Sequence, residues 1–568
     1  MNTTVNLWSN ARQQHSPLGP QLGLVLDAYA DLLPRPVKAR PTSGFFHLVP
    51  DVPVTLSGSG TTDAMVRSFL AELLRPQDRA IPVNTTGSTA VVVTDTEGDP
   101  GTYTLRVMPE RLEIRAGDSE GVAGALTTVR QLLPDSIWRR AAAPPAGGWR
   151  VPCGVVEDRP AYGWRGAMLD VARHFFPKRT VLRYVDLLAA HRFNRLHLHL
   201  TDDQGWRVQS LRHPELHTTG SWRPSTRLGP DGPDDGTPHG GYYTLDDLAE
   251  IASYARLRGI TVVPEINVPG HTSALRAAAP GLCRPGEPQA VLDTVWAGGT
   301  SIAPTAGTEA YLHDVLEEII EATGAPYVHL GGDECSMDWW PEDPEVAAAM
   351  EAADCAEPQQ MHGHFLRSLG RFLAARGVRM IVWDEGHLTG GVLDDTIVMA
   401  WRGEEASARA AGTHDLVRSP LFPTYFNFDQ SDLEQERRSE GGPITLEDVA
   451  AFAPAPDSWS PEQRDRVIGG QFQIWTEWVP SERHLDYLAF PRACALAEVL
   501  WSGGVHDMAE FRARLGRQLR RLDAMGVEYR PLDGPLPWQS GGTGVWQRSS
   551  PGRIKETRAW LESISGRP

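Results

Sequence analysis

Residues Tyr327-Val-His-Leu-Gly-Gly-Asp-Glu334 carry a short β-branched and aromatic run into two glycines and two adjacent carboxylates. Along a regular strand, neighbouring side chains point to opposite faces. Asp333 and Glu334 can therefore address one ligand only where the strand stops and the backbone turns. Gly331 and Gly332 leave room for that turn and for close approach of a substrate. Paired carboxylates at a strand end suit glycosidic bond cleavage: one acid protonates the leaving oxygen, and one charge steadies the developing cation. The bland alternative is an acidic, solvated loop. Which holds depends on whether the rest of the chain builds a site around the pair.

Eight short β-rich runs recur between about 160 and 505, at 166–171, 195–200, 260–266, 327–331, 379–383, 397–401, 424–426 and 470–475. Segments with helical periodicity lie between them, among them 180–191, 244–258, 308–323 and 359–376. This alternation predicts an α/β protein whose catalytic domain, 160–505, is a (β/α)8 barrel with insertions. In such barrels chemistry sits at the C-terminal ends of the strands. Most of the predicted strands end in polar or aromatic residues: Thr201-Asp202-Asp203-Gln204, Asn267 and His271, Asp333-Glu334, Trp383-Asp384-Glu385, Trp401-Arg402, Tyr425-Phe426-Asn427 and Trp475-Thr476-Glu477. Three tryptophans at the ends of three strands would wall a small apolar pocket.

Upstream, residues 41–155 read as a small α+β domain, with strands at 52–56, 89–94, 103–108 and 111–116 and helices at 63–74 and 121–133. The Ala- and Pro-rich run 141–148 is a loop, and 1–40 an extension with an amphipathic helix over 21–33. The segment 506–568 is expected to pack on the barrel through helices at 508–525 and 553–564, with a loop at 539–547 edging the site. A net charge of −18 repels phosphate backbones and anionic membranes, so nucleic acid and lipid surfaces are not expected partners. Among the 18 tryptophans, some are expected to stack on sugar rings. Five scattered cysteines without CxxC spacing and no recognisable secretory leader point to a cytoplasmic location. Cys335 beside Glu334 reads as a small buried residue, because no activating partner for a nucleophile can be named.

Arg165-Gly166 with Asp170-Val-Ala-Arg-His-Phe-Phe176, the TDDQGWR, PExxxPGHT, HLGGDE and WTE runs, and 490–499 occur in order. Together they resemble the β-N-acetylhexosaminidases of glycoside hydrolase family 20, over roughly 45–505. The resemblance implies an exo-acting, retaining enzyme that removes terminal β-linked N-acetylglucosamine or N-acetylgalactosamine, with no metal and no cofactor. The nucleophile would be the substrate's own acetamido oxygen, which gives an oxazolinium ion. Family 20 is an exception to the two-carboxylate scheme. By the same resemblance Glu334 is the general acid and base, held protonated near neutral pH by the Asp333 charge and an apolar tryptophan wall. Asp333 orients the acetamido group, and Tyr425 donates to its oxygen. Trp383, Trp401 and Trp475 enclose its methyl. Arg165 and Glu477 bind the 3- and 4-hydroxyls with support from Asp202, and His271 sits beside Glu334.

Two positions depart from the family pattern. Asn267 stands where the family usually has an aspartate paired with the histidine at 271, so a modest shift of the pH profile is expected. Asn427 stands where many relatives have an aspartate facing the 6-hydroxyl, so a 6-modified or sulfated sugar would be better tolerated. Three other readings compete. One is a metal-dependent barrel hydrolase built on His197 and His199, which share one strand face. Another is a catalytically weak barrel that binds amino sugars. The third is an ordinary retaining glycosidase with Glu385 or Glu477 as its own nucleophile.

Overall fold

A computed structural model describes residues 27–49, 52–74, 91–95, 98–145, 147–227, 232–284, 286, 290–294, 301–437, 439–540 and 552–564. The first domain is a six-stranded sheet of β1 (Lys38–Leu48), β2 (Val54–Ser57), β3 (Val91–Asp95), β4 (Tyr103–Met108), β5 (Arg111–Ala116) and β6 (Trp149–Asp158), ordered β1-β6-β4-β5-β3-β2. Alternation in β4 and β5 buries Leu105, Val107, Leu112 and Ile114. Against these pack α1 (Gly60–Leu74), through Met65, Val66 and Leu70, and α2 (Ser119–Leu132), through Val122, Ala125 and Val129.

The expected boundary at residue 41 falls inside β1 and is corrected. Residues 27–30 form a helical turn, and Tyr29, Leu32 and Leu33 are buried, so at least 27–40 belong to the folded unit. Of the helix expected over 21–33, residues 31–33 are not helical, and 21–26 lie outside the described residues. Strands β1 and β6 also escaped the sequence reading. They pair with each other, and Pro41 and Gly44 at the β1 bulge and Pro152 and Gly154 within β6 mask the alternation.

The barrel strands are β7 (Trp164–Asp170), β8 (Arg195–His199), β9 (Thr261–Glu265), β10 (Tyr327–His329), β11 (Arg379–Trp383), β12 (Ile397–Ala400), β13 (Asp415–Arg418) and β14 (Val467–Ile474). They pair in parallel and close, β14 against β7. Among the helices outside them are α3 (Lys178–Ala190), α4 (Leu245–Arg256), α5 (Ala306–Thr323) and α6 (Pro358–Ala374). A capping box of Thr244 and Asp247 starts α4, and Gly324 in the left-handed conformation (φ +59°) ends α5.

Seven of the eight expected strands overlap an observed one; the seventh does not. The stretch 424–426 is no strand. Leu421–Thr424 is a helical turn, and Tyr425 then touches β14 at a single bridge to Gln473. The true seventh strand, Asp-Leu-Val-Arg, is four residues with charged ends, too short to declare a period. Its interior Leu416 and Val417 are buried on both faces, as parallel barrel strands require.

After the barrel come α7 (Arg492–Ser502), α8 (Met508–Met525) and α9 (Gly552–Ile564). Phe511, Leu515 and Leu522 of α8 and Leu561 of α9 join the barrel's apolar cluster. Of the loop expected at the site's edge, 541–547 lie outside the described residues. Among the described residues, no helix is long and apolar enough to cross a membrane.

Candidate active site

The turn after β10 is built by its glycines. Gly331 and Gly332 have φ +71° and +89°, and a Cβ on Gly331 would lie 1.7 Å from Asn267 Oδ1. The Gly331 N–H donates to His329 Nδ1 (2.9 Å), and the Trp383 N–H donates to the Gly331 carbonyl (2.9 Å). The turn is thus pinned from below and from the side. Glu334 and His271 themselves have positive φ, +44° and +50°. Two non-glycine residues in this costly region, side by side, hold their side chains where an ordinary backbone would not send them.

The two adjacent carboxylates differ in setting. Asp333 is buried, and its Oδ1 has no hydrogen-bond partner. Burial, with the Glu265 and Glu334 charges adding and His271 opposing, pushes its carboxyl up to about 6. The Glu334 side chain is 44% exposed, and its carboxylate lies 3.3 Å from His271 Nε2. The side chain is thus half open rather than enclosed by the expected tryptophan wall, and His271 is a neighbour.

His271 in turn presents Nδ1 to Asp203 (3.2 Å) and Asp202 (3.4 Å). Burial disfavours its charge, but these acids and Glu334 hold it well above the ordinary histidine value. The expectation that Asn267 stands in for the acid that supports His271 is corrected by this geometry. Asn267 lies against Gly331, its side-chain amide makes no hydrogen bond, and the carboxylates at His271 come from the β8 loop.

Four aromatic rings run along one wall. Trp383 lies 6.0 Å from Trp475, Trp475 6.2 Å from Tyr425, and Tyr425 6.3 Å from Trp401, between ring centroids. Trp383 and Trp401 each anchor the indole N–H on a buried acid, Glu265 (3.0 Å) and Glu385 (2.9 Å). Burial pushes the Tyr425 hydroxyl well up, so it stays a proton donor. Asn427, two residues on, is buried with its side-chain oxygen unpartnered.

The arginine that stands beside Asp202 and Glu477 is Arg173, and the expectation for Arg165 is corrected. Arg165 is the second residue of β7, five residues before the strand's end, roughly 16 Å away along the strand. Its guanidinium donates to Glu120 (2.5 Å), the Arg192 carbonyl (2.8 Å) and the Tyr162 carbonyl (2.8 Å), tying the barrel's lower end to α2. Arg173 follows β7 at the upper end. Its Nη2 lies 2.9 Å from Asp202, Nη1 lies 3.4 Å from Asp170 and 3.9 Å from Glu477, and the guanidinium sits 5.1 Å over the Trp475 ring. Burial, with Glu440 and Asp170 adding against Arg173, pushes Glu477 up to about 8, and its Oε2 has no partner. The rule that chemistry sits after a strand, applied to the first strand, would have found Arg173.

His197 and His199 point into the barrel and are engaged there. Glu265 receives His197 Nε2 (2.9 Å) and His199 Nδ1, Gln471 donates to His197 Nδ1 (3.1 Å), and His199 Nε2 reaches Asp202 (2.8 Å). Both ring nitrogens of each are thus used within the chain, which disfavours the metal reading. Although burial opposes charge, Glu265 and Asp202 hold His199 up to about 10. Beside Glu334, burial pushes the Cys335 thiol well up, which disfavours the thiolate that a nucleophile needs.

The family model described as "Glycosyl hydrolase family 20, catalytic domain" matches residues 162–504, and "Glycosyl hydrolase family 20, domain 2" matches 29–159. A beta-hexosaminidase of Porphyromonas gingivalis is 34% identical over 448 residues, 78% of this chain; the aligned part spans 56% of that protein's length. One from Akkermansia muciniphila is 35% identical over 422 residues, 73% of this chain and 82% of that protein. An exo beta-N-acetylglucosaminidase of Vibrio harveyi, solved in complex with N-acetylglucosamine, superposes with TM-score 0.74 at 31% identity, covering 89% of this chain and 78% of that one.

Proposed function

This chain belongs to glycosyl hydrolase family 20, and on that premise we propose that it removes terminal β-linked N-acetylhexosamine with retention, through an oxazolinium intermediate. It is a glycoside hydrolase. The observation that carries the finer reading is the unequal setting of Asp333 and Glu334: adjacent in sequence, one sits buried near a row of aromatic rings and the other lies open at the mouth. A carboxylate nucleophile attacks from the face opposite the acid, and neighbouring residues on one turn are poorly placed for that. With the acetamido oxygen as nucleophile, neither must.

In this reading the acetamido group enters among Trp383, Trp401 and Trp475, which exclude water around its methyl. Tyr425 donates its hydroxyl to the carbonyl oxygen. Asp333 accepts the acetamido N–H and steadies the positive charge as the ring closes. Glu334 gives its proton to the departing oxygen, then takes one from the incoming water, with His271 orienting it. Arg173, fixed by Asp170 and Asp202, and Glu477 take the 3- and 4-hydroxyls of the terminal sugar, and Asn427 faces the 6-hydroxyl. The test is a comparison of an aryl β-N-acetylglucosaminide with the matching aryl β-glucoside, with the anomer followed by NMR. Turnover of the acetamido substrate alone, with the β anomer appearing first, is expected. Comparable cleavage of both, or first release of the α anomer, would sink the proposal.

The two arginines give an opposed pair of predictions. Arg173→Ala should raise KM roughly ten- to a hundredfold, the worth of lost hydrogen bonds to a charged donor. Arg165→Ala should leave KM unchanged and lower stability by about 3 kcal/mol, because it breaks a largely buried ion pair with Glu120. Steady-state kinetics with thermal denaturation of both variants decides it, and the reverse pattern would reinstate Arg165 in the site.

A further inference from the structure

Trp560 lies beyond the residues matched by either family model, yet it stands at the site. Helix α9 returns to the upper face of the barrel and is held there at two points. Leu561 is buried in the barrel's apolar cluster, and the Arg558 guanidinium lies 4.6 Å over the ring of Phe422, in the turn that leads to Tyr425. Between these anchors, the Trp560 ring comes to 6.0 Å from the Trp401 ring, inclined at 40°. Trp401 is 7% exposed, whereas Trp560 is 43% exposed. Single exposed apolar side chains are ordinary. An indole held open beside the ring that closes the proposed acetamido pocket is a different matter, because its helix is anchored on either side of it, by buried Leu561 and by Arg558 over Phe422.

We propose that Trp560 is a stacking platform for the sugar on the leaving-group side of the scissile bond, which makes a β-linked oligosaccharide of amino sugars the substrate class this enzyme handles best. The inference rests on the reading of the site given above. In a β-linked 2-acetamido sugar, the acetamido nitrogen and the glycosidic oxygen stand on adjacent ring carbons, both equatorial. They leave the ring side by side. A pocket that takes the acetamido group against Trp401 therefore sends the leaving group out past the rim of that same wall, where Trp560 presents its ring. The axial C–H bonds of a pyranose give it a flat apolar face, which an indole matches in size and which is otherwise left in water. A small alkyl leaving group ends before it reaches that ring.

The test compares kcat/KM for N,N′-diacetylchitobiose and for methyl β-N-acetylglucosaminide in the full-length enzyme and in Trp560→Ala and Trp560→Phe. Trp560→Ala should lose roughly tenfold on the disaccharide and stay within about twofold on the methyl glycoside, while Trp560→Phe keeps most of the disaccharide activity. An equal loss on both substrates would mean that the ring only supports Trp401, and would overturn the platform. An unchanged disaccharide rate, or a gain on both substrates from unblocking the pocket, would overturn it too. A wild-type enzyme that cleaves both substrates while Trp560→Ala behaves like it refutes the platform alone. A wild-type enzyme that cleaves neither refutes the hexosaminidase reading and the platform with it.

Discussion

Glu334→Gln is expected to lower kcat on an alkyl β-N-acetylglucosaminide by roughly 10²- to 10⁴-fold, the usual worth of a general acid. Glutamine keeps the shape and one hydrogen bond to His271 but has no proton to give. The loss should be smaller on a nitrophenyl glycoside, whose leaving group departs without protonation, until hydrolysis of the oxazolinium ion, which needs Glu334 as base, becomes limiting. Because the side chain is 44% exposed, the substitution should cost within about 0.5 kcal/mol of stability, so a lost rate is not a lost fold. Steady-state rates on both substrates decide the matter. Near-normal turnover of the alkyl glycoside would remove Glu334 from the acid's role.

Asp333→Asn carries the second largest effect, a fall in kcat of roughly 10²- to 10³-fold, similar to that of removing one preorganised group aimed at developing charge. It also makes a pH prediction with a definite sign. Burial, aided by Glu265 and Glu334 and opposed by His271, pushes the Asp333 carboxyl up to about 6. Below that value it holds a proton and is neutral, and above it it carries the charge the oxazolinium needs. Wild-type kcat/KM should therefore drop as pH falls through about 6, and the asparagine variant, already neutral, should lack that limb. A wild-type profile that stays flat from neutral pH to well below 6 would show that Asp333 is not the charged partner. Asn267 is not expected to set this limb, since its amide faces Gly331 and the acids at His271 come from Asp202 and Asp203.

Linear order was enough for the barrel, seven of its strands, and the pairing of Asp333 with Glu334. These are local facts. A run of β-branched residues, two glycines and two acids state a strand, a turn and a charge without reference to anything distant. The aromatic wall was legible for a related reason: each of Trp383, Trp401 and Trp475 ends or follows a strand, and closure of a barrel brings strand ends together.

Arg173 and Arg165 mark where that reasoning stops. Both belong to one sequence motif, Arg165 inside the start of β7 and Arg173 just past its end; which of them meets the site depends on the end of the strand that each occupies and on partners far along the chain, Glu120 for one and Asp202 and Glu477 for the other. The seventh strand, Asp415–Arg418, was invisible because four residues whose interior pair is buried on both faces carry no period of their own. The acids at His271, the indole anchors on Glu265 and Glu385, and the return of Trp560 to the Trp401 wall all join residues whose nearness is made only by packing. Periodicity reports the nearest turn or pleat of the chain, whereas a binding site is defined by which long side chains converge once the sheet has closed.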